Sequence, residues 1–415
     1  MKRNISAVLA TTGLLLVSFL FSSCLKDTCR HTYKIMTPVY KKLTDLRAAV
    51  KSTAATTIVN TGKLYLKDNW IFLNEQNKGI HVIDNSNPAH PVKAAFINIP
   101  GNIDIAVTQN TLYADLYCDL AAIDITDPRH ITVSSFLTNT FPDKSSNPTT
   151  GNPDSINVIT DWASRDTTVS CDQNLISCGT CPSPVFYSAN NSPAPSSSAT
   201  SGKSGVAGST ARFATVGVYM YAVTTSNLNV IDLYEPSNPS LIQRKNIGWN
   251  IETIFPHNNK LYIGAGSSMS VYDLQNPIDP QQLSWSGHWC SGDPVVADDN
   301  YAYVTLHNEN ICHNTVNELE IYDLNSPGNP LSTYFLTSPQ GLSKDGNLLF
   351  ICDNGLKIYD ASDVHGIKLI KQIDGIQTSD VIASNGIAYL VAKDGLYQYD
   401  YSDSQNIHLL SKLSK

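Results

Sequence analysis

Seven polar residues recur in one register along this chain, and six of them carry a charge. Twenty residues after a repeated aspartate stand Asp104, Glu252, Asp293 and Asp380, each followed nine or ten residues later by an aromatic. The second spacing, applied to the remaining units, selects Lys63, Arg212 and Gln340. Convergent charges at one mouth would focus an electric field on a cation or small polar ligand. The same charges could instead pair with one another and tie down loop backbone, as buried charges must. Two of the carboxylates could also divide acid and base roles, as in glycoside hydrolysis, if their separation suited it.

Other chemistry-bearing residues are less organised. Trp249, Trp285, His288 and Trp289 fall near the same register, where indoles can stack on sugars or other flat ligands, or simply cap sheet edges. His307 and His313 lie in the longer fifth unit and His257 follows a proline in a turn; none has ligand spacing, and no metal or cofactor is expected. The chain has no Gly-x-Ser-x-Gly elbow, no Gly-rich phosphate loop after a strand and no His-Glu-x-x-His, so no catalytic residue is assigned. A net charge of -8 with no basic run beyond the start argues against nucleic acid as a partner.

Nine cysteines are present. Lys2 and Arg3 open a targeting segment over residues 1–23, an apolar stretch follows from Ala7 to Phe21, and Phe21-Ser22-Ser23-Cys24 sets small residues before a cysteine. That arrangement resembles a bacterial lipobox, implying lipidation of Cys24 and attachment to a membrane; Lys26-Asp27 resembles the surface-export signal of Bacteroidota lipoproteins. In an exported protein the remaining cysteines are first read as disulfide candidates. Cys178 and Cys181 have knuckle spacing but no second ligand pair, while Cys118 and Cys352 fit small buried hydrophobes on strands. The pairing of Cys29, Cys171, Cys178 and Cys181 stays open.

The elements that must position these residues are set by a repeat. An apolar run ending in aspartate occurs seven times, at Asp84, Asp124, Asp232, Asp273, Asp323, Asp360 and Asp400, at intervals of 40, 108, 41, 50, 37 and 40 residues. An aromatic strand precedes each run, as in Tyr219-Met220-Tyr221, and a turn such as Asn85-Ser86-Asn87-Pro88 follows, where Asn and Asp bond their own backbone and Pro fixes φ. Four strands in about 40 residues make one propeller blade. The expected fold is all-β, a seven-bladed propeller over 56–415, preceded by the signal peptide and a lipidated tether over 24–55. Residues 56–73 supply the first strands and 405–413 close the ring. A flexible insertion over 139–210 explains the one long interval; within it 155–162 alternates as a strand would, and 183–208 is too small and polar to bury a core.

These turns and strands, with stretches such as Gly248-Trp249-Asn250-Ile251-Glu252 and Gly395-Leu396-Tyr397-Gln398-Tyr399-Asp400, resemble the LVIVD-repeat family of bacterial lipoproteins over roughly 60–415, outside the insertion. The resemblance implies a β-propeller and an outer-membrane location, and a bridge between Cys290 and Cys312, which resemble a pair seen in relatives. It implies no activity. Three readings follow: an envelope protein that binds a protein or glycan partner on a propeller face, a hydrolase or lyase acting at the channel mouth, and a purely architectural component.

Overall fold

The computed structural model describes residues 30–144, 156–170, 205–288, 294–307, 316–326 and 328–415. Cys24 and its signal segment, the cysteines at 29, 171, 178, 181, 290 and 312, and Asp293, Trp289 and His313 lie outside these.

Seven antiparallel sheets follow one another along the chain: blade 1 at 61–98, blade 2 at 105–137, blade 3 at 213–246, blade 4 at 251–287, blade 5 at 295–335, blade 6 at 339–373 and blade 7 at 378–414. Each places four consecutive strands in sequence order from an inner to an outer strand. The inner strands touch their neighbours in unbroken succession, blade 7 against blade 1 included, so the sheets close into a seven-bladed propeller. Closure protects sheet edges that would otherwise pair with other chains.

The repeated aspartate is a turn device. It ends the third strand of every blade, and its Oδ1 accepts the backbone N–H two residues on, from Ser86, Thr126, Tyr234, Gln275, Asn325, Ser362 and Ser402, at 2.8 to 3.1 Å. Ser86, Thr126 and Ser402 add their hydroxyls to the same oxygen. Such bonds hold the carboxyls of Asp84, Asp124, Asp360 and Asp400 below the ordinary aspartate range. The residue after each aspartate then bonds back to the loop between the first two strands, as Ile125 N–H does to the Asn110 carbonyl at 2.8 Å. One short side chain thus stops a strand and aims the next at the rim.

Blades are tied sideways by buried tyrosines and apolar packing. Tyr113 of blade 2 donates to the Pro236 carbonyl of blade 3 at 2.9 Å, and Tyr221 of blade 3 to Pro277 of blade 4 at 2.8 Å. Between blades 7 and 1 no strand is exchanged. Residues 408–414 form the outer strand of blade 7, and the seam is held by Leu64, Ile71 and Leu73 packing on Ile382, Tyr389 and Val391. Ser411 also donates to the Pro88 carbonyl at 2.7 Å.

Two stretches depart from the expected organisation. The tether expected over 24–55 is built into the propeller at its far end. Leu43–Ala48 forms a short helix with Leu43 and Leu46 buried, and Lys51–Thr53 pairs with the outer strand of blade 1. The Arg47 guanidinium bonds the fully buried Asp119 carboxylate at 2.5 Å and lies 5.0 Å over the Phe136 ring. The insertion expected to be flexible over 139–210 is ordered at both ends. Ile156 and Val158 are buried with the blade 2 core, and 205–210 is bonded into the hub. Asn157–Ser170 is a strand longer than the 155–162 expected as a strand or small ribbon, and it pairs with Arg30–Lys42 as a two-stranded ribbon.

Because Asp124 accepts both an N–H and a hydroxyl, Asp124→Ala should lower unfolding stability by about 1 kcal/mol in urea titration. Asp124→Asn, which keeps an acceptor oxygen, should retain more than half of that.

Candidate functional site

Each residue of the polar register begins an inner strand, so the fold carries Lys63, Asp104, Arg212, Glu252, Gln340 and Asp380 to the hub; Asp293 lies outside the described residues. The first group is close enough for its charges to act on one another. Lys63 feels the carboxylates of Asp104, Asp380 and Glu252 and the guanidinium of Arg212, while burial pulls its ammonium below the ordinary lysine value.

What holds these groups is a strap of chain, residues 205–212, which runs down the axis before entering blade 3. Val206–Ala207 pairs with Leu66 and Tyr65 on the inner edge of blade 1. Gly205 N–H bonds the Val107 carbonyl of blade 2 at 3.1 Å, and Ala211 accepts the Ile254 N–H of blade 4 at 2.8 Å. Ser209 Oγ accepts the Leu342 N–H of blade 6 at 2.9 Å and donates to Asp380 of blade 7 at 3.1 Å. Inner strands of five blades are thereby bonded to one segment.

Lys63, Asp104 and Asp380 spend their charges on this strap, whereas the Glu252 carboxylate accepts the Asn250 amide at 3.2 Å. Asp380, 2% exposed, also accepts the Thr210 hydroxyl at 2.7 Å and the Val381 N–H at 3.0 Å. Asp104, equally buried, accepts the backbone N–H of Arg212 and that of Ile105. Lys63 donates to the Thr210 carbonyl. Arg212 reaches the Ile251 carbonyl at 2.8 Å and the Glu252 carbonyl at 3.2 Å. Gln340 takes part through its carbonyl, which accepts the Thr305 hydroxyl at 2.6 Å. Burial raises the carboxyls of Asp104 and Asp380, Asp104 to about 6.

Beside the strap, between blades 2 and 3, lies a cavity of about 220 Å³ reached by Asp104, Arg212, Asp115 and Lys144. Sequence reasoning missed Asp115 and Lys144. Asp115, 1% exposed, accepts the Ile103 and Asp104 N–H groups at 2.8 and 2.9 Å and the Lys144 ammonium at 2.6 Å. Its place on a second strand, one residue before a leucine, gave no periodic signal. Ser209 and Thr210 were missed because the stretch around them reads as a polar linker.

The aromatic residues lie elsewhere. Trp249 and Trp285 line a separate groove of blade 4, and His257 bonds Asp299 at 2.9 Å on the surface. Cys118 and Cys352 are buried free thiols, Cys352 on a strand as expected and Cys118 instead in the turn between Thr111–Leu116 and Asp119–Asp124; burial raises both well above the ordinary thiol range.

Comparison with known proteins agrees with this architecture. The LVIVD repeat model matches residues 60–96 and 207–246, which are blade 1 and the end of the strap with blade 3. No curated protein matches the chain. Among solved structures, the computationally designed Ika8 protein aligns with a TM-score of 0.50 and 10% identity over 88% of this chain and 90% of its own. PorZ, a surface component of the type-IX secretion system of Porphyromonas gingivalis, aligns with a TM-score of 0.47 and 12% identity over 88% of this chain and 39% of its own. BamB from Moraxella catarrhalis gives 0.47 and 8% identity over 88% and 97%. The likeness to Ika8 is one of fold.

Two outcomes follow from the hub. A Cβ on Gly341 would stand 2.2 Å from Asp380 Oδ1 and 2.8 Å from its Cα, so Gly341→Ala should cost about 1–3 kcal/mol, whereas Gly328→Ala, which meets nothing within 4 Å, should not. Asp104 binds its proton more tightly in the folded chain (about 6) than an ordinary aspartate (3.8), so native protein carries the extra proton between those values. Stability should therefore fall as pH rises from about 4 to about 6, by on the order of 2–3 kcal/mol, and urea midpoints of Asp104→Asn should show a flatter decline.

Proposed function

We propose, from the premise that this chain carries LVIVD repeats wound into a closed seven-bladed ring, that it is a non-catalytic binding or scaffold protein of the bacterial cell envelope. Cys24 would hold it to the outer membrane by lipid, and an outer face of the propeller would meet the partner. The observation that carries this reading is the strap held in the hub. Residues 205–212 occupy the axis where a propeller enzyme would admit substrate, and the buried carboxylates Asp104 and Asp380 already accept hydrogen bonds from that segment. An acid or base needs a proton path to a reacting atom within hydrogen-bond reach. Carboxylates enclosed by hydroxyl and N–H donors of their own chain serve instead to fix the ring.

The membrane part of the reading rests on residues 1–24, with their basic start, apolar stretch and Ser22-Ser23-Cys24 ending. Lipid attachment would present the ring to the envelope without a spanning segment; among the described residues no helix is long and apolar enough to cross a membrane. One acyl chain gives only marginal anchoring, so stable residence calls for the further acylation that lipobox cysteines receive.

One experiment addresses both parts. Cells expressing the full chain are labelled with an alkyne fatty acid, and the solubilised protein is isolated with whatever is bound to it. The wild type should carry label and Cys24→Ser should not, moving to the soluble fraction. The double variant Asp104→Asn/Asp380→Asn, confirmed folded by circular dichroism, should recover the same partners as the wild type. Label on Cys24→Ser removes the anchor, and loss of partners from the folded double variant relocates binding to the hub.

A further inference from the structure

Blade 4 differs from its neighbours at one position of the repeat. Three residues before each aspartate, a side chain points from the third strand into the space beside the sheet, and in most blades that space is filled from within the protein. His81 bonds Glu75 at 3.1 Å and packs against Phe96 with ring centroids 4.9 Å apart. Asn229 donates to the Thr140 carbonyl and accepts from Arg244, both at 3.1 Å. Glu320 accepts the Tyr322 hydroxyl, Lys357 bonds Asp353 at 2.6 Å and Tyr397 donates to Asp394 at 2.7 Å. Blade 2 has Ala121 there, but its cross-strand partner Phe136 is backed by Arg47.

In blade 4 the residue is Ser270, and its cross-strand partner is Trp285. The small side chain leaves a groove of about 290 Å³, near the lower end of the ~300–1,000 Å³ usual for small-ligand sites. Trp285 is 59% exposed at one side of it. At the other, Trp249 is 71% exposed on a loop fixed by left-handed backbone at Asn250 (φ 53°) and by Gly248 at φ 141°. Backbone of that kind is costly for a side-chain-bearing residue such as Asn250, and it holds an indole out in water. Serines 268 and 270 and Gln282 line the same groove with hydroxyls and an amide, and no charged residue lines it.

We propose that this groove binds a neutral saccharide. A sugar ring has an apolar C–H face that the indoles of Trp249 and Trp285 match, and an edge of hydroxyls that Ser268, Ser270 and Gln282 satisfy. A nucleotide or other anion would need a cation, and the lining holds none. An aliphatic peptide would leave the hydroxyls and amide unpaired, at a desolvation cost. The inference adds a site to the binding reading above and is independent of the lipid anchor, so fatty-acid labelling at Cys24 is unaffected by its outcome.

The test uses detergent-solubilised full-length chain titrated with maltotriose, cellotriose, chitotriose and xylotriose, followed by indole fluorescence and by calorimetry. At least one of the four should give a saturable response with a micromolar to millimolar Kd. Trp249→Ala and Trp285→Ala should each weaken it by roughly tenfold or more, and Ser270→Leu should abolish it by filling the groove while both indoles remain. Trp162→Ala, which removes an exposed indole elsewhere, should leave it unchanged. Thermal melting verifies that each variant is folded. No saturable response to any probe, or a response that survives both tryptophan substitutions, overturns the proposal. So does concentration-dependent self-association in sedimentation that the double tryptophan variant loses, since the indoles would then join two chains.

Discussion

Two carboxylates, each only 2% exposed, hold the middle of this molecule together. Asp104 and Asp380 sit on inner strands of blades 2 and 7, and each is buried enough that its charge needs donors fixed in place. Residues 209–212 supply the Ser209 and Thr210 hydroxyls and the Arg212 N–H, and Ile105 and Val381 add their own N–H groups. Polar groups that would be a liability in a dry core become the reason the strap has one position. The strap in turn gives inner-strand edges facing the axis partners that water would otherwise have to supply.

The rim is governed by a different and more local rule. Each blade ends its third strand with an aspartate that accepts an N–H two residues later, so the turn geometry depends on neighbours in sequence. Sideways cohesion then falls to buried tyrosines and aliphatic side chains between sheets. The stretch from this aspartate to the fourth strand is seven residues in six blades and eight in blade 5.

That division explains what could be read from the sequence. The seven aspartates and their turns disclosed the blades because cause and effect lie within a few residues; the twenty-residue spacing pointed to Asp104, Glu252 and Asp380, and the aromatic spacing to Lys63 and Arg212, because each blade spends nearly the same length between turn and inner strand. The strap was illegible: its strand is two residues long, its partners Tyr65 and Leu66 lie about 140 residues away, and its composition is that of a linker. Helical periodicity is legible over residues 38–50, where Leu43–Ala48 is a helix, but its docking was not, because the buried Asp119 that anchors Arg47 is far along the chain. Trp249 and Trp285 were visible as indoles, but the groove between them depends on Ser270 being small where other blades are filled.

Each blade is one uninterrupted length of chain, with no strand lent from the first blade to the last. Many closed rings guard their join with a shared sheet, like the clasp of a bracelet. Here the clasp is displaced: the join between blades 7 and 1 is mainly apolar side-chain packing with a few hydrogen bonds, while the strap pairs by backbone with blade 1 and reaches Asp380 of blade 7 through its hydroxyls. Cutting and rejoining the chain between blades should thus be tolerated at most loops, yet not at the one that carries residues 205–212, because there a cut would release the pin rather than open the clasp.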